Sequence, residues 1–206
     1  MTPVFSEYSF VDAGFYNAEE SRNTPPPFLM NQPHGADVVV LNELPTHPLL
    51  CDALVSDKPG IQLTVKTADC APVLFLDTEA RIIGAAHAGW KGAFQGILEN
   101  TILSMLSLGA HIENIHAAVG PHLTQQNFQI SSSMQNLFSQ TESLFFHETP
   151  NGIYFDFSGY IQHRLNRVGI RNIDMSPIDT YADSAYNSYR RDPQNPARQY
   201  SFIKLK

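Results

Sequence analysis

Three side chains that can bind a metal lie at the ends of predicted strands. His34 precedes one apolar run, Cys70 precedes a second, and His87 closes a third. Zinc binds cysteine sulfur and histidine nitrogen, and a catalytic zinc site uses three protein ligands and leaves one position open. The three residues fit that stoichiometry, although a cysteine beside an apolar strand is more often a small buried hydrophobic residue. From the spacing alone, both interpretations stay open.

His87 also begins a segment that leads from a strand into an amphipathic helix. The segment reads His-Ala-Gly-Trp-Lys-Gly and ends at Gly92. Lys91 lies at the expected start of the helix, where free backbone N–H groups favour an anion such as phosphate; the alternative is a solvated surface lysine. Without a metal, Cys70 would act as a nucleophile and His87 as its base. Cys70, His87 and Lys91 are therefore the candidate catalytic residues.

Four other sites are interpreted mainly as structural. Cys51 lies outside these motifs and is expected to be a structural thiol. Asp69 adjoins Cys70, and strand neighbours point in opposite directions, so we expect it to be a hydrogen-bond acceptor and not a base. His122 follows a strand and could reach the site. The segment Ser188-Tyr-Arg-Arg-Asp192 could bind an anion, but a structural salt bridge is the preferred interpretation.

Composition narrows the class of protein. The chain has 206 residues, 43% of them hydrophobic, which suits one domain covering residues 1–206. The formal net charge is -7 and no run of Lys and Arg could follow a phosphate backbone, which argues against nucleic acid as a partner. No apolar run approaches the ~20 residues that span a bilayer, and a secretory signal pattern is lacking. With only two cysteines, we expect a reduced, cytoplasmic protein.

Hydrophobic periodicity predicts a mixed α/β or α+β domain. Helices are predicted from Phe94 to Leu106, with Gly109 as terminator, and over 131–140 and 158–168. Strands 73–76 and 81–86 should form a hairpin. Residues 1–23 show no clean period, and Tyr181 to Asp192 gives no clear prediction. The strand predicted at 37–41 is expected to be buried. The other predicted strands are 53–55, 62–65, 73–76, 81–86, 115–119, 153–155, 173–175 and 199–205.

Six segments together resemble the YfiH-like family, also called the laccase-domain or purine nucleoside phosphorylase family. They occur in the expected order over roughly residues 30–206. The resemblance implies an α-β-β-α layered sandwich, with an N-terminal region (1–30) that is short for the family. The segments are Gln32-Pro-His34-Gly35, Asp52-Ala-Leu54 followed by Asp57, Thr67-Ala-Asp-Cys70-Ala-Pro-Val, His87-Ala-Gly-Trp-Lys-Gly92, Val119-Gly-Pro121 and Ser188-Tyr-Arg-Arg-Asp192.

The resemblance also implies chemistry. It implies zinc bound by His34, Cys70 and His87, and an enzyme that acts on purine nucleosides by phosphorolysis or by deamination of adenosine. Members of the family have also been described as polyphenol oxidases. Copper could occupy such a site, but no His-x-His pair exists from which to build a multicopper cluster. The implied partners are a nucleoside and phosphate, and a homo-oligomer is left open. The alternatives are a metal-free Cys/His hydrolase or deamidase, and a zinc-stabilised domain without activity.

Overall fold

The structure, a computed structural model, describes residues 3–206, which form three β-sheets and five α-helices. The helices are α1 (Ala18–Asn23), α2 (Trp90–Gln95), α3 (Ile97–Ser107), α4 (Ser132–Gln135) and α5 (Phe157–Arg167), with 3₁₀ helices at Val4–Glu7, Ile112–Asn114 and Gln140–Phe145. The strands are β1 (Val11–Phe15), β2 (Val38–Val40), β3 (Ala53–Ser56), β4 (Gln62–Thr67), β5 (Ala71–Asp77), β6 (Ile82–Ala88), β7 (Ile115–Val119), β8 (Gln129–Ile130), β9 (Phe146–Thr149), β10 (Gly152–Phe155), β11 (Asn172–Met175) and β12 (Gln199–Leu205).

A six-stranded sheet with the order β11-β7-β5-β6-β3-β2 is the centre of the molecule. Its middle strands β5 and β6 form the predicted hairpin, in a register that runs from Ala71 opposite Ala88 to Asp77 opposite Ile82. Every residue of both strands is buried. Strands covered on both faces read as continuous apolar runs, which is the pattern seen in the sequence. The open end of this hairpin brings Cys70 and His87 to the same edge of the sheet.

Each face of the central sheet contacts a different layer. Phe75 points towards the helical side, where it packs in one cluster with residues of α3 and α5 such as Ile102 and Leu165. Leu74 points the other way, into a second cluster with Ile203 of the small antiparallel sheet β1-β12-β4. The short helix α1 contacts β12 of that small sheet. The mixed α/β fold with an α-β-β-α arrangement is therefore confirmed.

A third sheet, with the order β8-β10-β9, carries an aromatic cluster beside the helical layer. Phe155 of β10 stacks on Phe146 of β9 at 4.9 Å between ring centroids. Phe157 at the start of α5 packs edge-on against Phe128 at 5.5 Å. These contacts hold Phe128 and Phe157 at the side of the cleft described below.

Two predicted helices were wrong in their extent. The helix predicted from Phe94 is two helices, because Gly96 adopts a left-handed conformation with φ of 99° and ends α2. Only Ser132–Gln135 of the segment 131–140 is α-helical, although the Ser131 side chain caps it as expected by accepting from the Met134 N–H. The buried strand predicted at 37–41 is the half-buried edge strand β2.

The sequence also failed to predict two elements near the start of the chain. Strand β1 contains Ala13 and Gly14, which carry little strand signal, and it exists because it pairs along its whole length with β12. Helix α1 follows it with a capping box between Asn17 and Glu20. None of the helices within residues 3–206 has the length and apolar character needed to cross a bilayer.

Candidate metal centre

Cys70, His87 and His34 meet at one end of the central hairpin. Their ligand atoms all lie within 4.8 Å of one another, and the His34 and His87 rings meet nearly edge-on with 4.8 Å between centroids. His87 is buried, Cys70 is half-buried and His34 is exposed. Within the described part of the chain, these three residues are the group of histidine, cysteine or acidic side chains that could hold a metal ion.

Asp52, at the start of β3, fixes the loop that carries His34. Its carboxylate accepts the backbone N–H of His34 at 3.1 Å and that of Gly35 at 2.7 Å. His34 has a positive φ of 65°, which is uncommon for a residue with a side chain. The two hydrogen bonds to a buried carboxylate stabilise this backbone conformation and hold the imidazole beside Cys70.

The same carboxylate orients His87. The Nδ1–H of His87 donates to Asp52 Oδ1 at 2.7 Å, and the His87 backbone N–H donates to the Asp52 carbonyl oxygen at 2.7 Å. Because Nδ1 is engaged, Nε2 is the nitrogen available to a metal, an arrangement common among metal-binding histidines. Sequence reasoning included Asp52 only in a family-like segment and missed this role. No local signal reveals it, since it depends on the antiparallel pairing of β3 with β6.

The electrostatics of the group favour a thiolate. Burial by itself raises the pKa of Cys70, but the neighbouring His87 and His34 imidazoles outweigh it and lower the pKa to about 6. Burial lowers the pKa of His87, whereas Cys70 and Asp52 raise it, and their effect prevails with a pKa of about 9. A thiolate is the form of cysteine that binds metals and attacks carbonyl carbons.

Two glycines let helix α2 approach the metal-binding group closely. A Cβ atom at Gly89 would lie 3.1 Å from Cδ2 of His34 and 3.2 Å from Sγ of Cys70. A Cβ atom at Gly92 would lie 2.6 Å from the carbonyl oxygen of Gly35, closer than real Cβ contacts. The glycines that flank Trp90 in the sequence are therefore required by packing against the His34 loop.

A cleft of about 1140 Å³ opens over the three residues. Trp90, Phe128 and Phe157 supply aromatic rings to its wall, and Lys91 lies on its rim. Lys91 is exposed, with its Nζ 5.7 Å from the centre of the Trp90 ring. Helix α2 is only six residues long, so its N-terminus contributes less to anion binding than the sequence suggested. The positive charge of the Lys91 side chain is therefore the main feature at this position that could attract an anion.

The structure does not bring His122 to this group. Its side chain is buried, Nδ1–H donates to the Gly120 carbonyl at 2.8 Å, and Nε2 lies 2.8 Å from the Ser158 hydroxyl. Burial lowers its pKa, which favours the neutral ring. The hypothesis that His122 reaches the site is wrong, because these two contacts hold it in the interior.

Asp69 and Cys51 lie where the sequence analysis expected. Asp69 accepts from the Thr180 hydroxyl at 2.7 Å and from the Arg190 backbone N–H at 2.6 Å, so it is a structural acceptor. Its φ of 81° provides the turn that redirects the chain before Cys70. Cys51 is fully buried and donates to Met30 Sδ at 3.2 Å. Burial raises the pKa of Cys51 to about 12, as befits an inert thiol.

The salt bridge expected within the segment 188–192 was wrong. Ion pairs among residues 3–206 involve neither Arg190 nor Arg191. The Arg191 guanidinium instead donates to the carbonyl oxygens of Thr180 at 2.7 Å and Tyr181 at 2.8 Å. Residues 181–192 lack helix and strand, so their carbonyls need donors from elsewhere. Arg190 lies over the Phe128 ring at 5.8 Å and lines the cleft.

Fold and site together define a layered α/β protein with a Cys-His-His group at the end of its central hairpin. Residues 14–206 match the profile of the family described as multi-copper polyphenol oxidoreductase laccase. This protein therefore belongs to that family, whose YfiH-like members its motifs resemble, and the expected family membership is confirmed.

Relatives show the same relationship. A Deinococcus radiodurans protein named purine nucleoside phosphorylase is 36% identical over 180 residues, which are 85% of this chain and 69% of that protein. The crystal structure of the hypothetical protein YfiH from Bacillus licheniformis superposes with a TM-score of 0.84 at 23% identity, covering 97% of this chain and 94% of the other. A Neisseria meningitidis structure gives a TM-score of 0.86 at 24% identity, covering 100% and 98%. These structures share the fold.

We expect Asp52→Asn to weaken metal binding by this group about 10- to 100-fold, the usual effect of removing a residue that orients a metal ligand. Asparagine keeps only one acceptor oxygen, so it cannot serve both His87 and the Gly35 N–H. Competition with a chromophoric zinc chelator measures the affinity. Asp37→Asn is the matched control, because Asp37 is an exposed carboxylate without a contact to His87. Wild-type affinity in Asp52→Asn would contradict the assigned role.

Proposed function

We propose that this protein is a zinc-dependent enzyme that acts on purine nucleosides, by phosphorolysis or by deamination of adenosine-type substrates. The observation that carries the proposal is the convergence of His34, Cys70 and His87 at the floor of a large cleft. The purine nucleoside phosphorylase name of the Deinococcus radiodurans relative supports the substrate class.

The donor set fits zinc. One thiolate and two imidazoles are three ligands of the types that zinc prefers, and they leave a fourth position open towards the cleft. The family description mentions several coppers, but one group of three donors is what the described residues bring together. A single copper could bind such a donor set, whereas a multicopper cluster needs many more histidines. We therefore favour one zinc ion, bound by His34, Cys70 and His87.

Zinc bound by His34, Cys70 and His87 would supply a Lewis acid and would lower the pKa of a bound water towards ~7. The protein supplies position. Asp52 holds the His87 ring so that Nε2 faces the cleft, and Cys70 as a ligand is a thiolate that is not free to act as the nucleophile. Lys91 lies on the rim beside the site, where its charge would hold the attacking phosphate in phosphorolysis.

The aromatic wall suits a purine base. Trp90, Phe128 and Phe157 line the same cleft as the metal-binding group. Trp90 is half-buried and so offers ring surface to a ligand, and stacking of a base on an aromatic ring contributes about 1–3 kcal/mol. In deamination, a purine held there would present C6 to hydroxide. In phosphorolysis, a phosphate oxygen would attack C1′ of the ribose, and the bond from C1′ to the base nitrogen would break.

One observation favours a second candidate, a metal-free cysteine hydrolase or deamidase. Cys70, His87 and Asp52 form a chain of nucleophile, base and orienting carboxylate, which is the arrangement of cysteine hydrolases. The lowered pKa of Cys70 fits that role as well as it fits metal binding. The metal content of protein purified without a histidine tag separates the two candidates, because a thiolate bound to zinc cannot serve as nucleophile.

We expect zinc-loaded protein to convert adenosine, and chromatography of the products decides the reaction. Adenine with ribose 1-phosphate, formed only with phosphate present, indicates phosphorolysis, while inosine with ammonia indicates deamination. A chelator should stop turnover and added zinc should restore it. The assay should span protein concentrations, because a second copy could complete the cleft. Thiol-dependent amide hydrolysis without purine turnover would favour the second candidate, and no turnover of either kind would favour a zinc-stabilised domain without activity.

A further inference from the structure

The cleft is strongly cationic, although the chain as a whole carries a formal net charge of -7. Asp69 is the single carboxylate of its lining, and both of its oxygens already accept hydrogen bonds from the protein. A cleft lined by one sign of charge concentrates ligands of the opposite sign. The cationic side chains in the lining are Arg22, Lys66, Lys91, Arg190 and Arg198.

Three of these cations gather at one end of the cleft, around Tyr200 of β12. Lys66 of β4 is directly opposite Tyr200 in the antiparallel register, so their side chains lie on the same face of the sheet. The Ser21 hydroxyl accepts the Tyr200 backbone N–H at 2.8 Å, which brings Arg22 of α1 to the same place. Arg198 precedes Tyr200 by two residues. We call Arg22, Lys66 and Arg198 the distal cations.

The distal cations have no acidic partner. Within residues 3–206, the ion pairs include none of them, and the Arg22 and Lys66 head groups also lack hydrogen-bond partners. Arg198 donates only to backbone carbonyls, those of Asn195 at 3.1 Å and Ala197 at 2.7 Å. Lys66 is half-buried, and an anionic ligand can pair with its ammonium without displacing a carboxylate of the protein.

Lys91 and the distal cations belong to different elements of the fold. Lys91 follows the metal-binding group on the α2 side, whereas Lys66 lies on β4, four residues before Cys70 and so within about 14 Å of it. Two cation groups in one cleft can serve two anionic groups. The volume of about 1140 Å³ also exceeds the ~300–1,000 Å³ of typical ligand pockets.

We infer that the distal cations bind a phosphate group carried by the substrate, so that the protein acts on purine nucleoside phosphates. The reaction that the substrate undergoes rests on the proposed function, whereas binding of its phosphate group by the distal cations does not. In the bound nucleotide, the purine lies against the aromatic wall and the reacting atom faces the metal-binding group. The phosphate group of the nucleotide lies between Lys66 and Arg198. Lys91 remains available for the attacking phosphate.

Calorimetry of the zinc-loaded protein with adenosine, adenosine 5′-monophosphate and inorganic phosphate tests this inference. We expect the monophosphate to bind about tenfold or more tightly than adenosine, as hydrogen bonds to charged groups imply. High salt should reduce the difference in affinity between the monophosphate and adenosine, because it screens the charges. The double variant Lys66→Ala with Arg198→Ala should remove this advantage. Lys204→Ala, which removes one charge from the same small sheet outside the cleft, should retain it.

Lys66→Ala separates ligand binding from folding. The Lys66 ammonium takes part in none of the ion pairs within residues 3–206, so the thermal unfolding temperature of this variant should equal that of the wild type. Binding of the monophosphate should nevertheless weaken severalfold. Unchanged binding in Lys66→Ala would show that Lys66 does not hold the phosphate.

Two results overturn the inference. The first is equal affinity for adenosine and its monophosphate, or an advantage that persists in the double variant. In the second, inorganic phosphate binds the wild-type protein as tightly as the monophosphate does, and the double variant no longer binds it. The distal cations would then be a site for free phosphate and not for a phosphate group of the substrate. Failure of the proposed function has a different signature, namely monophosphate binding that depends on the distal cations without conversion of either purine compound.

Discussion

Replacing Cys70 with serine should remove most of the bound zinc. Elemental analysis of the wild-type protein should show near-stoichiometric zinc, because three donors of the preferred types lie within 4.8 Å of one another. Serine offers a hydroxyl that does not ionise near neutral pH, so the site loses its one anionic ligand. The lowered pKa of Cys70 indicates that the surroundings already stabilise the thiolate that zinc requires.

Cys51→Ala is the matched control for this variant. Cys51 is buried in the core, with Met30 as its contact, and this variant should keep its zinc. Since the chain has two cysteines, the pair of variants assigns the thiolate ligand without ambiguity. Full zinc retention in Cys70→Ser, or loss of zinc in Cys51→Ala, would show that the assignment of the ligands is wrong.

His87→Ala should abolish purine turnover, with a loss of at least about 100-fold in kcat/KM. The substitution removes a proposed metal ligand, which should cost no less than the 10- to 100-fold typical of the partners that orient such ligands. It also leaves the Asp52 carboxylate buried without the imidazole that it contacts at 2.7 Å. Steady-state assays at saturating zinc measure the effect, and thermal unfolding shows how much of it comes from the fold.

His111→Ala is the control, because His111 is exposed and its hydrogen bonds within residues 3–206 are made by its backbone and not by its ring. This variant should retain wild-type kcat/KM. Added imidazole should restore part of the activity of His87→Ala if the lost group acts as a ligand at the vacated position. Wild-type turnover in His87→Ala with zinc in excess would contradict the role of His87 in the proposed chemistry.

Local pattern was sufficient for several elements. The hairpin of β5 and β6, helix α5 and strand β12 were predicted close to their observed bounds. Each of these segments has a hydrophobic period or an apolar run that matches its own burial, with terminators such as Gly169 after α5. Elements of this kind depend mainly on their own residues, so the sequence reports them directly.

Other elements depend on partners that are distant in sequence. Strand β1 shows little strand pattern of its own and exists because it pairs with β12, some 190 residues later. The break between α2 and α3 at Gly96 is also a tertiary feature, because α2 must pack closely on the His34 loop through Gly92. The hydrophobic period of the helix continues across such a break, so the sequence pattern does not show where one helix ends and the next begins.

The prediction that residues 1–206 form one domain with a short N-terminal region stays a prediction, as do the roles of His34, Cys70, His87 and Lys91. What the sequence determined by itself is the set of chemical groups: one cysteine and two histidines at strand ends, within family-like motifs. The hairpin pattern predicted that Cys70 and His87 lie at one edge of the sheet, whereas the placement of His34 beside them depends on the hydrogen bonds of its loop to Asp52.

Only the tertiary structure decided which groups surround them. Asp52 reaches His87 because β3 pairs with β6, and the distal cations meet because β4 and α1 both contact β12. Conversely, His122 resembles a candidate ligand in sequence but is held in the interior by Gly120 and Ser158. Side chains from distant segments are positioned by the pairing and packing of whole elements, and a linear pattern does not encode those distances.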